Sequence, residues 1–231
     1  MIGYKEIIIT IAGSILLIAG LAAWYAYEPG STELRESDEA FDGPVAPEDE
    51  SVRANDTLDM EKPIATFTTN RGEIEIELFG EDMPITVSNF VDLANDGFYD
   101  NTKFHRVISG FMIQGGDPNS REDDTMQYGT GGPGYTIQDE FVTGDHLRNE
   151  RGTIAMANTG QPNSGGSQFF INVADNTQLD FDREPQASRH PVFGTVISGM
   201  DVIDEIEQVA TDGRDIPEEP VIIESITIRE G

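Results

Sequence analysis

No cysteine occurs in this chain, which excludes disulfide bonds, thiol catalysis and thiol-anchored lipidation. Positive charge is nearly as scarce: 14 lysines and arginines stand against 43 aspartates and glutamates, a formal net charge of -29, and the lysines are Lys5, Lys62 and Lys103 alone. Such a surface repels phosphate backbones and no basic patch interrupts it, so no nucleic acid partner is expected. The three histidines, His105, His146 and His190, show no metal-ligand spacing. Asp117-x-Asn119-x-Arg121 begins like a calcium loop but places arginine fifth and lacks the turn glycine. Ser167 has no nucleophile-elbow context. Neither a metal nor another cofactor is expected. The excess acid has two readings: a halophilic surface suited to high ionic strength, which the spread of acids along the whole chain favours, or an acidic face for basic substrates.

Long uncharged runs are also rare, and Ile7–Tyr27 stands out as one. About 20 apolar residues cross a hydrocarbon core of about 30 Å as a helix, and this run has that reach, with Trp24, Tyr25 and Tyr27 at its far end where rings favour the interface. Residues 1–27 read as a transmembrane helix that anchors the chain, with a cleaved signal segment as the alternative; Gly20-Leu21-Ala22 is a poor small-x-small cleavage site. Lys5 precedes the span and Glu28 follows it, so the expected location is the cell membrane, single-pass, with the bulk of the protein extracytoplasmic; cleavage would instead secrete it. Residues 28–62 are rich in acid, carry Pro29, Pro44 and Pro47, and read as a disordered acidic linker with a span of roughly 30 Å. Asn55-Asp56-Thr57 is a glycosylation sequon within it. Residues 63–231 remain for a folded domain, and the 37% hydrophobic and 8% aromatic content of the 231 residues suffices for its core.

In that domain Ile64 to Thr69 and Glu73 to Leu78 alternate apolar and polar residues around Asn70-Arg71-Gly72, which predicts a hairpin. Pro84 opens a helix whose apolar face is Val87, Phe90, Val91 and Ala94 and whose stop is Gly97. Further strands are expected at Lys103 to Val107, Phe111 to Gln114, Thr153 to Ala157, Gln168 to Asn172, Val192 to Val196 and Val221 to Ile228, with a second helix at Met200 to Gln208. Two helices among about eight short strands point to a mainly β fold, a closed eight-stranded antiparallel barrel capped by two α-helices. The long loops Pro118 to Glu140 and Asp175 to Arg189 are expected to flank a functional groove.

The stretch from Phe104 through His105, Arg106, Phe111, Met112 and Gln114 to Asp117 sets an arginine among large apolar side chains, where it is either paired with an acceptor or aimed at a ligand. Three further motifs follow: Gly152 to Asn158, Asn163 to Val173 with its Gly-Gly-Ser-Gln-Phe-Phe core, and His190-Pro-Val-Phe-Gly-Thr-Val196. In order and spacing the four resemble the cyclophilin family of peptidyl-prolyl cis-trans isomerases, from about Pro63 onward. The resemblance implies a cyclophilin-like barrel and a monomeric soluble domain that acts on proline-containing polypeptides.

It also implies a site. Arg106 matches the catalytic arginine; Phe111, Met112, Phe170, Leu179 and His190 match the cup for the proline ring. Gln114 matches the glutamine that orients the arginine, Ala157 and Asn158 the positions that hold substrate backbone, and Gln168 the residue that closes that side. Period-two geometry independently puts Gln168 and Phe170 on one strand face and Phe169 and Ile171 on the other. Taken singly, each has a plainer reading as a core, surface or ion-paired residue; only the joint pattern favours a site. Two departures stand out. Gln178 replaces the tryptophan that many members carry before the cup leucine, which implies weak cyclosporin binding, and Phe181 to Arg189 lengthens the chain between Leu179 and His190. The competing reading is a non-catalytic module that binds proline peptides at the membrane.

Overall fold

The computed structural model describes residues 62–183 and 189–231. The expected anchor or signal segment 1–27 and the linker as far as residue 61 lie outside the described residues. Among the described residues no helix is long and apolar enough to cross a membrane.

Strands β1 (Ile64–Thr69) and β2 (Gly72–Leu78) form the expected hairpin, in register from Ile64 opposite Glu77 to Thr69 opposite Gly72. Their alternation is real: Phe67, Ile74, Ile76 and Leu78 are fully buried while Glu75 and Glu77 lie on the other face. The remaining strands are β3 (Thr102–Lys103), β4 (Arg106–Ile108), β5 (Met112–Gly115), β6 (Thr153–Met156), β7 (Phe169–Asn172), β8 (Val192–Ser198) and β9 (Ile222–Arg229). All pair antiparallel, in the order β3-β9-β1-β2-β8-β6-β7-β5-β4.

This corrects the closed eight-stranded barrel. The described residues form one curled nine-stranded sheet, a half-barrel whose edge strands β3 and β4 are not hydrogen-bonded to each other. The physical reason is local. The expected strand from Lys103 to Val107 breaks at Phe104-His105: β3 pairs with β9, whereas Arg106 to Ile108 pair with β5. The chain thus passes from one edge of the sheet to the other through two residues.

Helix α1 (Pro84–Asn95) buries Val87, Phe90, Val91 and Ala94, the face its spacing predicts. It lacks a side-chain cap of its own. A carboxylate from a distant loop supplies one: Glu140 accepts from the Ile85 N–H at 3.0 Å and the Thr86 N–H at 2.6 Å. Such a cap is worth about 1 kcal/mol, with the helix dipole adding to it. Gly97, at φ 67°, then turns the chain out of the helix. Helix α2 (Met200–Glu207) buries Ile203 and Ile206 against the sheet.

Phe169 is the hub of the core. Its ring meets Phe67 at 5.6 Å, Phe90 at 5.9 Å and Tyr99 at 5.7 Å between centroids, all edge-to-face. Each such pair adds about 0.5–1.5 kcal/mol beyond the area it buries. Because Phe169 and Ile171 are fully buried, the alternation of β7 turns Phe170 to the opposite face.

Candidate active site

Arg106, Gln114 and Phe170 form one row across three neighbouring strands. Arg106 on β4 stands opposite Gln114 on β5, and Gln114 stands opposite Phe170 on β7. Met112 shares the face of Gln114 by period two, whereas Ile113 and Gly115 pack inward. Met112 is only 2% exposed, so it backs the face more than it lines it. Phe111 lies in the β4–β5 turn, half-buried, with its N–H donating to Ile108 O at 3.0 Å.

Next to the row the Gln114 amide donates to Gln168 Oε1 (3.0 Å), and Gln168 Nε2 donates to Gly131 O (2.8 Å). Through Gln114 and Gln168 the chain of amides therefore ties the sheet to the glycine-rich loop. Between them opens a cavity of about 620 Å³ lined by Gln114, Gly131, Tyr135, Ala157, Asn158 and Gln168 among others. Among the described residues no charged side chain lines it. Gly129 to Thr136 of the loop Pro118 to Glu140 line this cavity. Asp117, fully buried, anchors the start of that loop by accepting from the Asn119 N–H (2.8 Å) and the Gly129 N–H. Gly116, at φ 81°, lies so close to the Ser167 carbonyl that no side chain fits there.

Ala157 and Asn158 follow the end of β6. The Ala157 N–H donates inside the sheet to Gln168 O at 2.9 Å. The Asn158 amide donates to Arg189 O at 2.6 Å and its Oδ1 accepts from the Gly160 N–H at 2.9 Å, which fixes this corner of the groove.

His190 meets Phe170 edge-on, with centroids 5.3 Å apart. Its Nδ1 lies 3.0 Å from Met156 O. A carbonyl can only accept, so the proton of the neutral ring sits on Nδ1. Burial lowers the His190 pKa, partly countered by that hydrogen bond, and the ring is neutral at pH 7. The His190 N–H donates to Leu179 O at 3.1 Å, and Phe141 stacks on Phe181 with centroids 5.3 Å apart. Leu179 ends the 3-10 turn Thr177–Leu179, where Gln178 is exposed in the place of the missing indole.

A buried polar network that the sequence reading missed joins these two sides. Asn176 donates to Phe111 O (2.7 Å) and Asn172 Oδ1 (2.8 Å); Asn172 donates to Asn149 Oδ1 (3.2 Å); Asn149 donates to Asp180 Oδ1 (3.0 Å) and His190 O (3.1 Å). These four residues are at most 4% exposed. Asparagine in loops reads as turn chemistry, so nothing local marked them as a network. Asp215 was also missed. It lies in the loop after α2, and its Oδ2 is 3.6 Å from Arg106 Nε.

Residues 64–228 match the family described as "Cyclophilin type peptidyl-prolyl cis-trans isomerase/CLD". The chain belongs to the cyclophilin-type peptidyl-prolyl cis-trans isomerases. It is 47% identical over 175 residues to peptidyl-prolyl cis-trans isomerase B of Escherichia coli, covering 72% of this chain and 100% of that one. It is 43% identical over 187 residues to a probable peptidyl-prolyl cis-trans isomerase A of Mycobacterium leprae, covering 73% and 93%. Among solved structures a Cryptosporidium parvum cyclophilin is similar at a TM-score of 0.64 and 33% identity, over 74% of this chain and 99% of that one. A second structure of that cyclophilin, obtained in the presence of the dipeptide Ala-Pro, gives a TM-score of 0.63 over 73% of this chain.

Next to Arg106 in the chain, His105 is 3% exposed at the bend between β3 and β4, with neither ring nitrogen in a well-formed hydrogen bond. Burial lowers its pKa from 6.5 to about 4, against the pull of Asp117 and the Lys103 backbone and aided by Arg106. Between those values the unfolded chain binds the proton and the folded one does not, so this contribution to stability is complete above pH 6.5 and is lost as pH falls toward 4. We expect urea denaturation to show the wild type losing roughly 1–2 kcal/mol more than His105→Phe between pH 7 and pH 5. Equal losses would show that His105 is not the titrating group.

Proposed function

We propose that Arg106 is the catalytic donor of this isomerase and that Phe111, Phe170, Leu179 and His190, backed by Met112, hold the proline ring of the substrate polypeptide. Rotating an Xaa-Pro bond breaks amide resonance, with a barrier of about 18–20 kcal/mol. No covalent bond forms and no proton has to leave, so neither a nucleophile nor a metal is needed. In the twisted amide the nitrogen lone pair is localised, and a donor facing that nitrogen stabilises the twisted state more than the planar one. Arg106 carries a planar guanidinium with several N–H donors and can act as that donor.

The single observation that carries this reading is the row of Arg106, Gln114 and Phe170 on adjacent strands, since it puts a part-exposed guanidinium on the same sheet face as the Phe170 ring, with Gln114 between them. The Asn158 backbone and the uncharged cavity beyond it suit an extended peptide of varied sequence. In a protease-coupled assay on an alanyl-prolyl peptide, Arg106→Ala lowers kcat by about 100-fold, the scale expected for loss of a transition-state donor. Peptide affinity changes little. Equal rates for wild type and variant would instead favour a binding module without catalysis.

Location belongs to the same proposal. The uncharged Ile7–Tyr27 run supports a single-pass anchor, and Lys5 before it supports an extracytoplasmic domain that speeds proline-limited folding of exported chains. Surface protease treatment of intact cells is expected to remove the isomerase domain from membrane-bound protein. Full protection, or recovery of the chain as soluble protein inside the cell, would contradict it.

A further inference from the structure

We propose that Asp215 is a positioning residue for the reaction: its carboxylate holds the Arg106 guanidinium through Nε and leaves the two terminal nitrogens for the substrate. The inference rests on the reading of Arg106 as the donor. Asp215 Oδ2 lies 3.6 Å from Arg106 Nε, and among the described residues no other carboxylate forms an ion pair with Arg106. The two side chains are 43% and 45% exposed. A pair so wet and slightly longer than a hydrogen bond adds little to folding. Its effect falls on the arginine itself, a long side chain on an edge strand that would otherwise sample many rotamers.

The carboxylate sits on a rigid support. The Val107 N–H of β4 donates to Asp215 O at 2.8 Å, so the loop is docked onto the strand one residue from Arg106. Asp215 N–H donates to Asp212 O (3.1 Å) and Asp212 N–H to Ile216 O (2.8 Å). The Asp212 carboxylate accepts from the N–H groups of Arg214 (2.8 Å) and Ile216 (3.1 Å), and Thr211 bridges Pro217. Within this turn Asp215 adopts φ 63°, a left-handed conformation that glycine takes without strain. Glycine would serve the turn alone. What aspartate adds is a charge aimed at the arginine.

The test is kcat and KM of the full-length chain on an alanyl-prolyl peptide for wild type, Asp215→Asn, Asp215→Gly, Arg106→Ala and the double variant of Arg106→Ala with Asp215→Asn. Asparagine tolerates the left-handed turn and glycine relieves it, so both keep the loop. We expect kcat to fall about fivefold in each Asp215 variant with KM unchanged. Thermal stability of Asp215→Gly equals or exceeds the wild type, and Asp215→Asn has no further effect once Arg106 is alanine. Wild-type kcat in both Asp215 variants beside a slow Arg106→Ala would overturn the role of Asp215 alone. A drop that persists undiminished in the double variant, or a destabilised Asp215→Gly, would also overturn it by marking the loop as merely structural. Wild-type kcat in Arg106→Ala would refute the donor reading instead.

Discussion

Antiparallel register between β4, β5 and β7 is the constraint on which the rest depends. It sets Arg106 beside Gln114 and Gln114 beside Phe170, and the same pairing sends Ile113, Phe169 and Ile171 into the core. A slip of one residue would exchange those two sets, burying an arginine and exposing the hub phenylalanine. Core packing and site geometry are therefore one requirement. The edge-to-face contacts of Phe169 hold the register from inside, and Gln168 tied to Gly131 holds it from the groove side.

The acids, so numerous in this chain, include several that act as ties. Glu140 caps α1, Asp117 fastens the loop beside the cavity, Asp180 anchors Asn149 and Asp212 closes the turn that carries Asp215. In each case a carboxylate accepts backbone or amide N–H groups, and Asp180 and Asp212 use their second oxygen to pair with Arg148 and Arg214 as well. With so few lysines and arginines available, loops are held by carboxylate-to-amide bonds more than by ion pairs. Lys103 is the counter-example: its side chain is 11% exposed and its ammonium reaches Glu122 O at 3.0 Å and Tyr128 Oη at 3.0 Å.

Much of this was legible from residue order. The β1–β2 hairpin, both helices and the alternation of β7 follow from period, Pro84 and Gly97, because local patterns decide them. The site residues were named by resemblance; the structure sets Arg106, Gln114 and Phe170 in one row across three strands with His190 against Phe170, and lines the cavity with Gln114, Ala157, Asn158 and Gln168. Three features stayed hidden. The break at Phe104-His105 depends on which partner strand each half meets, which no local pattern encodes. The asparagine network looks like ordinary loop composition until Asn149, Asn172 and Asn176 meet in space. Asp215 lies far from Arg106 in the chain, and only the docking of its loop on β4 reveals the pairing.

A crystal structure of the protein with a bound alanyl-prolyl peptide tests the central claim most directly. The account predicts the prolyl ring against Phe170 and Leu179, with the Arg106 guanidinium facing the prolyl nitrogen at about 3–4 Å. A proline seated instead in the glycine-lined cavity, with Arg106 turned away from the peptide, would contradict it.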